Sequence, residues 1–295
     1  MFKKVCVIGV GLIGGSIAYA LKQSAPETEI IGFGRPEDHA NLATAQKLAI
    51  INSYTFDIQQ AVTEADCVVI AVPVGSYFEL FTKIQPFWSN TTVYTDAGST
   101  KSSVVEACER VFGRVPDNFV PAHPIAGAEQ SGVTAAKPDL NKHKRAIITP
   151  LATTNAQALA KVQRLWESMG AQITLMDVQQ HDAVLAATSH LPHILAFALV
   201  DLLGRKDEQA DIFKYAAGGF KDFTRIASSD PTMWLDICMA NKAQIAPLLQ
   251  ELTTELNKLQ HFLETEDHKR LFETFTYARN ARQRFLDQFE TYNQL

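Results

Sequence analysis

The sequence lacks most of what would place it outside the ordinary globular classes. Its four cysteines, Cys6, Cys67, Cys108 and Cys238, lie far apart with no C-x-x-C pair. That spacing argues for buried free thiols in a reducing compartment rather than a disulfide framework. An excess of positive charge is missing too. The net charge of −5 argues against nucleic acid or an anionic membrane as the main partner, while leaving room for a local basic pocket. No apolar run reaches the length of a membrane span; the nearest, Leu191–Leu203, is interrupted by Pro192, His193 and Asp201. There is no internal repeat, no low-complexity segment and no signal-peptide pattern, because Met1 leads straight into a strand-like run. The expectation is a cytoplasmic protein. At 295 residues, 46% hydrophobic and 20% charged, the chain has enough apolar surface for two cores.

What is present begins at the N-terminus. Val5 to Ile8 is an apolar run, and Gly9-Val10-Gly11-Leu12-Ile13-Gly14 follows it directly, opening a helical pattern. This is G-x-G-x-x-G in the strand–turn–helix context that gives the motif meaning. Gly9 permits the tight turn, Gly11 lets the backbone approach a pyrophosphate, and Gly14 allows close helix–strand packing. The helical pattern that follows, Ser16 to Gln23, points free N–H groups and its positive end at the diphosphate, with Leu12 and Ile13 of the turn counted among the cofactor-binding positions. The second strand ends at Gly34-Arg35, where NAD-preferring fingerprints usually carry a carboxylate. A glycine leaves room for a 2′-phosphate and an arginine can pair with it. The reading favours NADP, with NAD as the alternative and a solvated turn arginine as the plain explanation of Arg35.

Alternating strand and helix patterns continue to about Met176, with the apolar run Asp66–Pro73 read as a strand of the buried parallel type and Pro73 at its C-terminal end, on the rim where α/β sheets bind ligands. Further strands are expected at Thr92–Asp96 and Asn118–Ala122, with Arg145–Thr149 and Ala171–Met176 flanking a helix over Ala156–Met169. Beyond Val178 the patterns are helical: His181–Leu203, Ile212–Gly218, Pro231–Ala240, Lys242–Glu264 and Glu266–Phe289. The fold class expected is α/β: an N-terminal Rossmann-type doubly wound sheet over 1–177, then an all-helical domain over 178–295. The amphipathic last helices suit packing on each other or across a dimer interface.

A nicotinamide cofactor exchanges only a hydride, so the protein must bind substrate and manage a proton. His123 follows the strand Asn118–Ala122, and Ser99 lies just past Asp96. Histidine titrates near neutrality and can take a hydroxyl proton as hydride leaves the same carbon. Ser99 can hold that hydroxyl or orient the imidazole, and it equally suits a helix N-cap. His190 and His193 form H-x-x-H, but no Cys or carboxylate pattern completes a metal site, so no metal is expected. Lys221 and Arg225, beside Gly218-Gly219, suit carboxylates, Arg225 bidentately. Asp230-Pro231 reads as a helix start with Trp234 in its first turns.

Five segments occur in order: GVGLIGGS, TDAGSTK, HPIAGAEQSG, SHLPH and GGFKDFTRIASSDPTMW. Together they resemble the prephenate dehydrogenase family, which includes the arogenate and cyclohexadienyl dehydrogenases of tyrosine biosynthesis, over almost the whole chain. The resemblance implies an oxidative decarboxylation. Hydride leaves C4 of a cyclohexadienol for NAD(P), the C4 hydroxyl loses its proton, CO2 departs and the ring becomes aromatic. The product is 4-hydroxyphenylpyruvate from prephenate or tyrosine from arogenate. By the same resemblance His123 is the catalytic histidine and Ser99 its assistant. Arg225 binds a substrate carboxylate, His193 lines the pocket and Glu129 stands near its entrance. His190, Lys221, Asp222 and Trp234 also fall on motif positions. The helical domain forms a homodimer. Ala128 departs from the family, which often carries threonine there, and Gly34-Arg35 resembles its NADP-using members.

Two other readings stand beside this one. A β-hydroxyacid dehydrogenase also joins such domains and relies on a helical-domain lysine, a role open to Lys221, but the HPIAG and FTRIA segments do not fit it. A dinucleotide-sensing regulator without turnover needs no convergence of His123, Ser99 and Arg225.

Overall fold

The run Lys4–Ile8 forms β1, buried from Val5 onward. A computed structural model describes residues 2–128 and 130–293, the side chains of Gln209 and 290–293 excepted. β2 (Glu29–Phe33), β3 (Ser53–Thr55), β4 (Cys67–Ile70), β5 (Val93–Asp96) and β6 (Phe119–Val120) complete a six-stranded sheet ordered β3-β2-β1-β4-β5-β6. Every pairing in it is parallel. Burial on both faces explains why its central strands read as continuous apolar runs. Val5 and Val7 enter one core cluster with Ile17, Leu165 and Trp166. Cys6 and Ile8 point the other way, into a cluster with Tyr77, Phe81 and Phe119.

The helices over the sheet are α1 (Leu12–Ser24), α2 (His39–Lys47), α3 (Ile58–Thr63), α4 (Tyr77–Ile84), α5 (Ser102–Phe112) and α6 (Ala156–Ser168). The strand order reverses between β1 and β4, so the turn after β1 and Pro73 after β4 flank the crevice where doubly wound sheets bind ligands.

The expected strand over Asn118–Ala122 is two strands. Pro121 has no N–H to donate to a ladder, and the chain leaves the sheet there. β7 (Ala122–Pro124) runs antiparallel to β8 (Arg145–Ile148), which pairs in parallel with β9 (Gln172–Leu175). His123 therefore stands on the small sheet, immediately past the break.

Beyond β9 come α7 (Val178–Leu185), a π-helical turn (Ala186–His190), α8 (Leu191–Ala210), α9 (Gly218–Thr224) and α10 (Pro231–Ala240). The helix expected over Ile212–Gly218 is a short 3-10 turn, Ile212–Tyr215, and α9 takes its place over the glycines. Because α7, the π turn and α8 are continuous, Val178–Glu208 makes 31 residues that are long and apolar enough, by length and composition, to cross a membrane. This corrects the expectation that no run reaches that length: Pro192 lacks the N–H for one ladder bond, but it stands directly after the π turn and the helix continues through it.

The chain divides into two compact units, residues 1–242 and 243–295. α10 belongs to the first, since Trp234 and Ile237 join the core cluster of Tyr77 and Phe81. The second consists of the long helices α11 (Lys242–Glu264), counted from Ala243, and α12 (His268–Asn293).

Candidate active site

The glycine turn is built as its spacing requires. Gly9 adopts φ +89°, and a Cβ there would lie 2.5 Å from the Ala71 carbonyl oxygen. At Gly14 a Cβ would lie 2.0 Å from the Gly9 oxygen, so only glycine brings α1 this close to the turn. At Gly11 nothing stands within 4 Å of a Cβ. The space above the turn is open, and α1 begins there, at Leu12 and Ile13, with no side-chain cap. Open space over uncapped N–H groups fits a dinucleotide diphosphate. Gly34 is buried after β2, and a Cβ there would press on Leu42 at 3.0 Å and Asp38 at 3.2 Å. Arg35 is exposed, and its Nε lies 3.4 Å from Asp38 Oδ2. The arginine thus already has an anionic neighbour.

His123 is partly buried, and its Nδ1 lies 2.9 Å from His181 Nε2. His181 Nδ1 in turn meets Asp182 Oδ1 at 2.8 Å. Both groups lie at the start of the long helix, whose N-cap Asp177 accepts from the Gln179 and Gln180 N–H groups. Asp182 also accepts from the backbone N–H groups of Lys101 and Ser102, each at 2.8 Å. Burial pushes its carboxyl up, but the bonds from His181, Lys101 and Ser102 outweigh burial and hold it at about 2. Burial draws His123 well below the usual imidazole value, and the positive potential of His181, Lys101 and His190 adds to that. His181 is lowered as well, chiefly by burial and against the pull of Asp182. At neutral pH His123 is an uncharged imidazole able to accept a proton.

A second buried set holds the strand that carries His123. The fully buried Lys101 ammonium pairs with Asp96 and donates to the Ala122 carbonyl at 2.7 Å. Asp96 accepts from the Ala122 N–H at 2.9 Å, the Gly98 N–H at 2.8 Å and the Tyr77 hydroxyl at 3.0 Å. Burial lowers the Lys101 ammonium and Asp96 opposes it; burial also raises the Tyr77 phenol, reinforced by Asp96. Ser99, partly buried, sits in the turn between Asp96 and Lys101. Both candidates for proton handling therefore hang from one buried ion pair: Ser99 lies between its two members and His123 follows the residue that both of them bond.

Asn241 joins this set to the remaining histidines. Its Nδ2 donates to the Asp182 carbonyl at 2.8 Å and lies 3.1 Å from His190 Nδ1. Burial takes His190 down to about 4. His193 bonds through Nδ1 to the Ser189 carbonyl at 2.8 Å and stacks on Trp234 at 3.7 Å. His190 meets the same indole edge-on at 6.0 Å, so the H-x-x-H pair packs around an aromatic ring. Trp234 is buried, and its indole N–H has no partner among the described residues. Lys221 lies on α9 and Arg225 in the turn after it, and both are exposed. Glu129 lies outside the described residues.

Asp96, Lys101, Tyr77, His181, Asp182 and Asn241 are the residues that sequence reasoning did not single out. For Asp96 and Lys101 a signal existed: a carboxylate closing an apolar strand, with a lysine five residues on, inside the TDAGSTK segment. For His181 and Asp182 there was none, because their partners lie 58 and 81 residues away.

A family model described as "Prephenate dehydrogenase, nucleotide-binding domain" matches residues 17–175, and one described as "Prephenate dehydrogenase, dimerization domain" matches residues 177–277. The chain is 36% identical over 285 residues to a cyclohexadienyl dehydrogenase of Zymomonas mobilis, covering 96% of each chain. It is 36% identical over 282 residues to a prephenate dehydrogenase of Bacillus subtilis, covering 94% of this chain and 75% of that one. Among solved structures, prephenate dehydrogenase from Aquifex aeolicus in complex with hydroxyphenyl propionate and NAD+ is similar at TM-score 0.88 and 35% identity, over 97% of this chain and 99% of that one.

Proposed function

The chain belongs to the prephenate dehydrogenase family, and from that premise we propose how its residues divide the oxidative decarboxylation of prephenate or arogenate. A dinucleotide bound at Gly9, Gly11 and Gly14, with the N–H groups at Leu12 and Ile13 and with Pro73 on the rim, supplies the hydride acceptor. His123 takes the proton of the C4 hydroxyl, and Ser99 orients that hydroxyl or the imidazole. With the hydride and proton gone, the C4 carbonyl accepts the electron pair of the bond to the ring carboxylate, which leaves as CO2; the ring becomes aromatic and the resulting phenolate oxygen takes back the proton from His123. Arg225 binds a substrate carboxylate. Lys221 and Glu129 shape the approach, and the His193–Trp234 stack forms an apolar wall whose indole N–H has no partner among the described residues. The observation that carries this reading is the partly buried His123 in β7, just past the break at Pro121, held at His181 and drawn by burial to its neutral form.

The finer assignments are part of the same proposal. Gly34 and Arg35 favour NADP, with NAD as the competitor because Asp38 already engages Arg35. Residues 1–177 serve the cofactor and 178–295 the substrate and the pairing of two copies. The protein works in the cytoplasm. The readings as a β-hydroxyacid dehydrogenase and as a non-catalytic sensor gain no support from the site.

The test is a two-by-two assay, prephenate or arogenate each with NAD or NADP, followed by nicotinamide absorbance, on the wild type and on His123→Asn. Turnover in at least one combination, lost by about 10²-fold or more in the variant with cofactor affinity retained, is the expected result. No turnover in any combination, or a fully active His123→Asn protein, overturns the proposal.

A further inference from the structure

We propose that His181 is a positioning residue for this reaction: anchored by Asp182, it fixes the tautomer of His123 so that the Nε2 lone pair, rather than Nδ1, meets the substrate hydroxyl. The inference rests on the reading of His123 as the base. The argument runs along three hydrogen bonds and starts from the group with no choice. Asp182 is an ionised carboxylate and can only accept. It already accepts two backbone N–H groups, so the 2.8 Å contact at Oδ1 requires a proton on His181 Nδ1.

A neutral His181 with its proton on Nδ1 presents an unprotonated Nε2. That nitrogen lies 2.9 Å from His123 Nδ1, so His123 must supply the proton between them. A neutral His123 protonated on Nδ1 has its lone pair on Nε2. The opposite polarity requires both nitrogens of His181 to carry protons, which makes it an imidazolium, and its burial opposes that charge. The chain Asp182–His181–His123 therefore has one low-energy arrangement of protons.

Among the described residues no other group bonds a ring nitrogen of His123. Lys101 holds the strand through the Ala122 carbonyl and touches neither ring nitrogen of His123 in any described bond. Asn241 fixes the helix side by donating to the Asp182 carbonyl. In other enzymes an aspartate held against one imidazole nitrogen sets the tautomer of a base directly, and losing it leaves the geometry intact but the proton on the wrong nitrogen. Here a second imidazole stands between carboxylate and base. It transmits the preference from a residue in α7 to one in β7.

The experiment uses the full-length protein and four variants: His181→Leu, which removes the acceptor; His181→Gln, whose Oε1 restores one; Asp182→Asn; and His123→Asn as control. Two readouts are taken. Steady-state kinetics at saturating cofactor separates kcat from KM. Long-range proton–nitrogen correlation spectra of 15N-histidine-labelled protein report which ring nitrogen of His123 carries the proton, independently of turnover.

The wild type is expected to show His123 protonated on Nδ1. His181→Leu is expected to lower kcat by about tenfold to 10²-fold at nearly unchanged KM, with both His123 tautomers present. His181→Gln should recover most of that loss, which a merely structural role for the ring would not produce. Asp182→Asn should also mix the tautomers, but it removes a partner of two backbone N–H groups, so the leucine–glutamine pair is decisive if that variant fails to fold. A wild-type spectrum with the proton on His123 Nε2, full kcat in His181→Leu, or equal damage in the leucine and glutamine variants overturns the proposal. An active His123→Asn control defeats the reading of His123 as base, while the wild-type spectrum still decides the tautomer.

Discussion

A buried neutral histidine links function to stability at the scale of single residues. His190 titrates at about 4 against an ordinary 6.5, so the unfolded chain binds its proton more readily than the folded one. Stability therefore rises with pH across that window and is lost as pH falls from about 6.5 toward 4, by about 3 kcal/mol from this group alone. His123 and His181 are lowered too and act in the same direction. Asp182, at about 2 against 3.8, is the depressed carboxylate; its contribution of about 2 kcal/mol is present above 3.8 and lost as pH falls toward 2. Urea unfolding should show the midpoint falling steadily between about pH 7 and 4.5, and a flat profile contradicts the burial of these neutral imidazoles. Arg35 tests the cofactor choice at the same scale. If it receives a 2′-phosphate, Arg35→Ala lowers kcat/KM with NADP about tenfold or more and leaves that with NAD within about twofold. Equal effects on both cofactors show it to be a surface residue paired with Asp38.

The turn between β1 and α1 separates two kinds of glycine at the scale of elements. Gly14 is required by packing: an added Cβ meets the Gly9 carbonyl at 2.0 Å. Gly11 has open space around it and is required only if a ligand comes close. Gly14→Ala is accordingly expected to lose stability by about 1–3 kcal/mol, read as a lower urea midpoint, together with dinucleotide affinity. Gly11→Ala should leave the midpoint unchanged and still weaken dinucleotide binding about tenfold, measured by calorimetry. Intact binding in Gly11→Ala places the diphosphate elsewhere. The π-helical turn belongs to this scale as well. It lies between His181–Asp182 and His193, and such insertions in a helix recur at functional sites.

The second unit raises the question of assembly at the scale of the whole molecule. Its two helices leave Leu256, Leu263, Phe272, Phe275, Phe285 and Phe289 exposed, each at half or more of its full area. A monomer rarely keeps so much apolar surface in water. Residues 177–277 match a model named for dimerization. Light scattering at micromolar concentration should return about twice the chain mass of 32.6 kDa. Replacing Phe272 and Phe275 together with glutamate should bring it to a single chain. A wild-type monomer, or a double variant that stays dimeric, removes these helices as the interface.

The sequence by itself determined what short-range patterns encode. The G-x-G-x-x-G turn, the central apolar strands and the helical character after Val178 are set by spacing within a dozen residues, and the structure builds them, apart from the strand that breaks at Pro121 and the 3-10 turn over Ile212–Tyr215. His123, Ser99, His193 and Trp234 could be singled out as candidates because each stands in an unusual local segment: a strand end, a turn before a helix, an H-x-x-H, a helix opened by Asp-Pro. Tertiary structure alone decided that Pro121 ends the large sheet and moves His123 to a second one. It alone joined Asp182 to Lys101 and His181 to His123, across 81 and 58 residues. A buried polar group must find a partner wherever the fold supplies one, and nothing in the local run around His181 and Asp182 says which partner that is. His123 could be singled out as a candidate from the chain, but its contact with His181, and through it with Asp182, depends on two helices and a strand being folded together.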